Sequence, residues 1–192
     1  MKKNVLSLAL TLTFGLTALA NPIDGEKKEV KTDASTVTWK AYKVTGSHTG
    51  TVDLKSGALM FDDNGKLSGG EFEVDMTSLI STDLEGEYKG KLEGHLKSDD
   101  FFSVANHPTS KLVFTNVKAS GKNSYEVTGD LTIKGITKPV TFDVSIYGSK
   151  ATATMKVDRA QYDVRYGSGS FFENLGDKTI YDEFDLVVDL EF

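Results

Sequence analysis

The chain contains no cysteine. Disulfides and thiolate metal sites are therefore excluded as staples, thiol nucleophiles are excluded as a mechanism, and lipoprotein-type acylation has no residue to act on. Basic residues are in deficit: 22 Lys and Arg stand against 28 Asp and Glu, for a formal net charge of −6. That sign argues against nucleic acid as a partner. Histidine is scarce, and His48, His95 and His107 show no i,i+4 spacing among themselves. A zinc or iron site needs three or four converging ligands, so capping and turn hydrogen bonds are the better reading and no metal is expected. No G-x-S-x-G elbow occurs. Gly167-Ser168-Gly169-Ser170 lacks the Gly-Lys-Ser/Thr ending of a phosphate loop and reads as a flexible turn.

Long apolar runs are missing too, with one exception at the start. Lys2 and Lys3 precede an apolar stretch over residues 5–16, and Ala18-Leu19-Ala20 follows with small-x-small spacing. A membrane span needs about 20 strongly apolar residues, and this run is shorter and weaker. The reading is a signal peptide over residues 1–20, cleaved near Ala20, with export to the periplasm or the medium; a retained anchor is the weaker alternative. Residues 21–34 are polar and aperiodic, and read as a flexible leader. With no internal repeat or second boundary, residues 35–192 make one domain, large enough to hold a core without staples.

What is present is period-two alternation. Val140, Phe142, Val144 and Ile146 alternate with Thr141, Asp143, Ser145 and Tyr147. Before them Tyr125, Val127, Gly129, Leu131 and Ile133 share one face, and residues 135–139 read as the hairpin connection. Ala151, Ala153, Met155 and Val157 make another strand face, and Phe184, Leu186, Val188, Leu190 and Phe192 the last. Earlier strands are expected over residues 37–44, 57–61 and 112–117, with Asn64-Gly65 as a hairpin signal before Phe72, Val74 and Met76. These amount to about eight strands joined by short turns, an all-β antiparallel up-and-down barrel.

One segment breaks the alternation. Leu84, Tyr88, Leu92 and Leu96 recur every four residues and predict a helix over residues 83–98, with Thr82 and Glu85 at capping-box spacing. Glu85/Lys89, Glu87/Lys91 and Glu93/Lys97 are i,i+4 pairs worth a few tenths of a kcal/mol each. Gly86, Gly90 and Gly94 lie on the opposite face, each costing about 1 kcal/mol relative to Ala. They read as an exposed face; a helix loose enough to move over a barrel mouth is the alternative.

Apolar inward faces with few polar groups suit a hydrocarbon rather than a sugar or a nucleotide. The same residues would also serve a solid core, and periodicity does not separate the two. Several stretches decide more: Ser47-His48-Thr49-Gly50, Val74-Asp75-Met76-Thr77-Ser78-Leu79, His95-Leu96-Lys97-Ser98-Asp99-Asp100-Phe101-Phe102-Ser103-Val104, His107-Pro108-Thr109, Gly129-Asp130-Leu131-Thr132-Ile133-Lys134-Gly135-Ile136-Thr137-Lys138-Pro139-Val140 and Asp158-Arg159. In this order and spacing they resemble the YceI-like family of exported lipid-binding proteins, over essentially residues 30–192. The resemblance implies a lipocalin-like barrel with one or two short helices over one end. It also implies a lumen for prenyl phosphates, quinone tails or other fatty amphiphiles. The family has no agreed catalytic residues, so none are assigned and no enzymatic activity is expected.

The lumen set that follows from the strand faces and the aromatic segments is Trp39, Phe72, Val74, Met76, Phe101, Phe102, Phe114, Leu131, Ile133, Phe142, Val144, Ile146, Ala153 and Met155. Arg159 and Arg165, the only arginines, are candidates for an anionic headgroup, or else structural ion pairs with neighbours such as Asp158 and Asp163. The leading expectation is transport, storage or sequestration of a long-chain amphiphile without a cofactor. Transient contact with a membrane surface and a dimeric state are both compatible with it. The alternative is a filled barrel acting as a protein-interaction or stress-associated module. A hydrolase ranks last for want of a nucleophile and base.

Overall fold

The computed structural model describes residues 25–192, so the expected signal peptide and cleavage site lie outside the described residues. Among the described residues nine strands form one antiparallel sheet: β1 (Glu26–Glu29), β2 (Thr36–Lys43), β3 (Gly46–Phe61), β4 (Leu67–Ser81), β5 (Thr109–Ala119), β6 (Ser124–Ile133), β7 (Ile136–Tyr147), β8 (Lys150–Asp158) and β9 (Ile180–Glu191). Their order is β1-β3-β2-β9-β8-β7-β6-β5-β4, and pairing of β3 with β4 closes β2 to β9 into an eight-stranded barrel. Closure leaves none of those eight as a free edge, which suits a chain without disulfides. An α-helix, α1 (Gly86–Lys97), lies between β4 and β5.

The turns follow from local chemistry. Asp62 Oδ1 accepts from the backbone N–H groups of Asn64 and Lys66 at 2.9 and 2.8 Å. Gly65 takes φ +71° there, and the chain reverses into β4. Lys134 and Gly135 both have positive φ, which makes a two-residue turn whose twist matches the flanking strands. The connection is thus tighter than the expected residues 135–139, and Ile136 to Pro139 pair with β6. Pro139 is tolerated because β8 joins β7 only from Asp143 onward, so no N–H is wanted on that side.

Three other expectations change. Residues 25–34 are not a loose leader: β1 runs along the far half of β3, from Glu26↔Phe61 to Glu29↔Ala58. Val30 is buried, and its N–H donates to Gly57 O at 2.8 Å, so the segment lengthens one wall beyond β2. Strand β3 is three times longer than the stretch read as residues 57–61. The expected capping box does not form, because Thr82 is engaged with Thr49 O through both its backbone N–H and its hydroxyl. The helix instead starts at Gly86, whose φ of +57° only glycine adopts easily.

Of the expected i,i+4 pairs, Glu87–Lys91 forms at 2.6 Å. Lys89 turns to Glu93 instead, at 3.8 Å. Lys97 donates to Thr77 O, which ties the helix to β4. Leu96 is buried and Leu92 half-buried, but Tyr88 is 75% exposed and leaves the apolar stripe. The added Cβ of an alanine at Gly90 or Gly94 would meet nothing within 4 Å, as an exposed face requires.

Candidate binding site: the barrel lumen

The two barrel ends differ. At the end away from α1, Phe61 and Phe192 pack at 5.7 Å, and Tyr125 O–H accepts from Leu67 N at 3.3 Å. The other end carries α1, the Lys134–Gly135 turn and residues 159–179. There His95 stacks edge-on against Phe101 and Tyr166 at 5.0 and 4.3 Å, joining the helix to the following loops. Between the ends lies an apolar cavity of about 160 Å³.

Inward faces of β4, β5, β6, β7 and β8 supply one side of it: Phe72, Val74 and Met76, then Phe114, Leu131, Ile133, Phe142, Val144, Ala153 and Met155. Phe114 sits 5.6 Å from Phe72 and 5.7 Å from Phe142, an aromatic run across three strands. Glycine makes room for it, since a Cβ on Gly70 would stand 2.7 Å from the Phe114 ring. Trp39 on β2 and Phe101 and Phe102 after α1 complete the set that the structure places on the wall. Ile146 is half-buried against the core but does not face the cavity. It lies near the end away from α1, where β7 turns into β8.

The opposite wall was absent from the sequence-based set. Val52 and Leu54 of β3 and Phe184, Leu186, Val188 and Leu190 of β9 line it. The β9 alternation was visible in the sequence and needed only the closure of β9 on β2 to point inward. Leu79 and Leu96 close the wall beneath the helix.

The two arginines part company. Arg159 is 4% exposed and borders the cavity. It donates to Val164 O at 2.8 Å, Ile180 O at 2.9 Å and Tyr181 O at 3.2 Å. The Asp182 carboxylate is 3.4 Å away, and the guanidinium lies 5.6 Å from the Phe101 ring centre. Burial pushes its pKa down, against the opposing pull of Asp182 and Asp158. Arg165 is exposed, pairs with Asp163, stacks over Phe171 and does not reach the cavity.

At the helical end His48 Nδ1 lies 2.9 Å from Asp83 Oδ2. Burial alone would raise the Asp83 carboxyl, but hydrogen bonds from Ser81, His48 and Thr49 together hold it below the usual aspartate value of 3.8. His107 instead packs over Gly135 at the β6–β7 turn. Among the described residues no cluster of three or more His, Asp or Glu is placed to hold a metal ion.

A closed antiparallel barrel of eight strands, with an apolar lumen beneath one helix, defines a lipocalin-like barrel. Within that class the chain belongs to the YceI-like family: the YceI-like domain model matches residues 28–192. A UPF0312 protein of Pseudomonas putida is 33% identical over 156 residues, covering 77% of this chain and 74% of that protein. Another, from Shewanella denitrificans, is 37% identical over 86 residues, and the match spans only 43% of its length. Among solved structures, BcnA of Burkholderia cenocepacia superposes with a TM-score of 0.62 at 21% identity, over 84% of this chain and 98% of that one. A polyisoprenoid binding domain from Saccharophagus degradans gives 0.55 at 14% identity, over 85% and 97%. At these identities the superpositions establish the fold.

Proposed function

We propose that the protein binds a long-chain amphiphile, an isoprenoid or a lipid of similar shape, in the barrel lumen and carries, stores or sequesters it unaltered outside the cytoplasm. The observation that carries this reading is the cavity: a continuous apolar wall drawn from β2 to β9, open in volume where a filled barrel would interdigitate. The Saccharophagus degradans neighbour, named for polyisoprenoid binding, supports the same reading from a related fold. Burial of chain methylenes, at about 0.8 kcal/mol each, would supply the affinity. Export rests on the positive start and small-x-small site of residues 1–20.

The cavity volume also favours a second reading. A void of about 150 Å³ takes one benzene ring, and the lumen at about 160 Å³ is little larger. A long chain therefore enters only if rings such as Phe72 and Phe114 swing aside or the cap lifts. A barrel that never opens would instead serve as a module for protein interactions. Native mass spectrometry of the protein purified without detergent, followed by solvent extraction, separates the two. An extractable adduct of a few hundred daltons supports the carrier. A bare mass that stays bare after titration with prenyl and acyl lipids supports the filled barrel.

A further inference from the structure

Apolar side chains that face solvent are not spread evenly over the barrel. Among the described residues ten large ones are exposed, and only Val113, Tyr147 and Val187 lie on the wall or at the end away from α1. The other seven sit on the β2–β3 turn, the last residues of β4, α1 and residues 166–181, all at the helical end. Scattered exposed apolar residues are ordinary, whereas their concentration at one end marks a surface that meets something.

Phe171 and Phe172 carry the argument, being adjacent, 40% and 49% exposed, and fixed in place. Ser168 is fully buried, and its carbonyl oxygen accepts from the N–H groups of both phenylalanines at 3.2 and 3.0 Å. Its Oγ accepts from Ser170 N at 3.1 Å, and Ser170 Oγ donates to Asp182 at 2.7 Å. Gly167 O accepts from Ile180 N at 2.8 Å, which ties the turn to β9. An anchored turn, not a loose one, presents the two rings. Charge does not explain it. Residues 163–179 hold Asp163, Glu173 and Asp177 against Arg165 and Lys178, and Arg165 is paired with Asp163.

The same segment leads inward. Ile180 and Tyr181 border the apolar cavity, and with Tyr42 and Ser170 they also border a groove outside the wall. The β2–β9 ladder slips there, between Ala41 and Lys43, so Tyr42 stands opposite residues 181–183 without regular pairing. Tyr181 is itself 51% exposed. Tyr166 lies 5.7 Å from the ring of Phe101, which lines the cavity. Residues of the cavity wall and of the exposed turn are therefore neighbours.

We propose that the helical end docks on the surface of a lipid bilayer, with Phe171 and Phe172 inserted among the headgroups and Tyr166 and Tyr181 at their level. Aromatic rings suit that zone, where the apolar body is buried and a tyrosine hydroxyl stays wet. The turn carries no excess of positive charge, so docking is driven by apolar insertion and needs no anionic lipid. A bilayer is the occupant because the exposed rings adjoin a hydrocarbon-lined cavity, so cargo passes from one apolar phase to another without crossing water. That choice of occupant rests on the lumen-binding reading above.

The test mixes phosphatidylcholine vesicles with protein recovered after export, its N-terminus checked by mass, and sediments them. The double variant Phe171→Ser with Phe172→Ser should bind at least about tenfold more weakly, with an unchanged far-UV spectrum, because two rings lose their burial. Phe172→Trp supplies a readout confined to the turn, since the chain's one tryptophan, Trp39, is buried. Its added emission should shift to the blue and be quenched by bromine on the acyl chains, at low salt and at about 1 M salt alike. Wild-type binding no stronger than that of the double variant would overturn the proposal, as would added emission that stays unquenched. Binding abolished by about 1 M salt would assign the contact to charge and overturn it too. A concentration-dependent mass that the double variant loses would give the turn to a second copy of the chain, against the proposal. The vesicles carry no cargo, so the two readings fail separately. A protein that docks but takes up no lipid removes the lumen reading alone, and one that takes up lipid without docking removes this proposal alone.

Discussion

Gly50 admits no other side chain, and the reason lies in two directions at once. A Cβ there would stand 1.9 Å from Ile80 O on β4 and 2.5 Å from the Trp39 ring on β2. The first of these is backbone and has nowhere to go in a closed barrel. Gly50→Ala is therefore expected to cost about 3 kcal/mol, read as a fall in Tm of about 6–12 °C for a domain of this size. A Tm within about 2 °C of wild type would show that β3 shifts freely and that the indole is not pinned. Arg159 is fixed just as firmly, but by charge and hydrogen bonds. Arg159→Met would leave the Val164, Ile180 and Tyr181 carbonyls without their donor and Asp182 without its buried partner. The expected cost is about 3–5 kcal/mol, measured by chemical denaturation, since removing one member of a buried pair strands the other. A variant as stable as wild type would free Arg159 for the headgroup role that its position on the cavity wall otherwise only suggests.

At the scale of elements, α1 contributes little stability of its own and is held by its attachments: Leu96 below, Lys97 on Thr77 O, Glu93 on Ser81 N and the His95 stack. Gly90 and Gly94 face open space, so Gly90→Ala and Gly94→Ala should each stabilise by about 0.5–1 kcal/mol, additively, in urea unfolding. No gain would mean that α1 is already detached before the barrel unfolds. The junction before the helix turns on Asp83. Its carboxyl is held below its ordinary value, so the unfolded chain binds the extra proton first as pH falls. The stability it confers is complete above the ordinary value of 3.8 and is lost as pH drops through the lowered folded value. Asp83→Asn should flatten that part of the acid-unfolding curve, and an unaltered curve would assign the transition to other carboxyls. How legible each element was in the sequence follows from the same physics. β6, β7 and β8 keep the alternation that makes a strand legible in sequence. β3 hides its first half because the ladder to β4 slips between Thr51 and Asp53 and between Leu54 and Ser56, and such bulges break the period of two. The helix starts later than the capping-box spacing predicts because Thr82 gives its groups to Thr49 of β3, a long-range contact that local spacing does not contain.

For the molecule as a whole, closure is what turns strand faces into a site. Each face was visible alone, but the sequence does not say that β9 returns to β2, so the wall of Val52, Leu54, Leu186 and Val188 was not assigned to the lumen. Nor does it say that Val30 and β1 extend the barrel, since their pairing with β3 spans a gap of some thirty residues. Hollow versus filled was the one question periodicity left undecided, because inward residues look the same in both; it depends on where small side chains oppose large ones. Ala153 is the position that tests this. It lies on the cavity wall, level with Val144 on β7 and Val188 on β9. Ala153→Phe would place a ring in a space of about 160 Å³, about the volume that one benzene occupies. The fold should survive, with an unchanged far-UV spectrum and a Tm equal to or above that of wild type, because filling a void restores dispersion contacts. Lipid affinity should fall at least about tenfold, since a chain lying past Ala153 would have to displace a phenyl group worth more than one buried methylene. A variant that folds and binds as wild type does would place the chain elsewhere in the barrel. A variant that loses stability as well would mean that the void closes in solution, and the filled-barrel reading would then gain what the carrier loses.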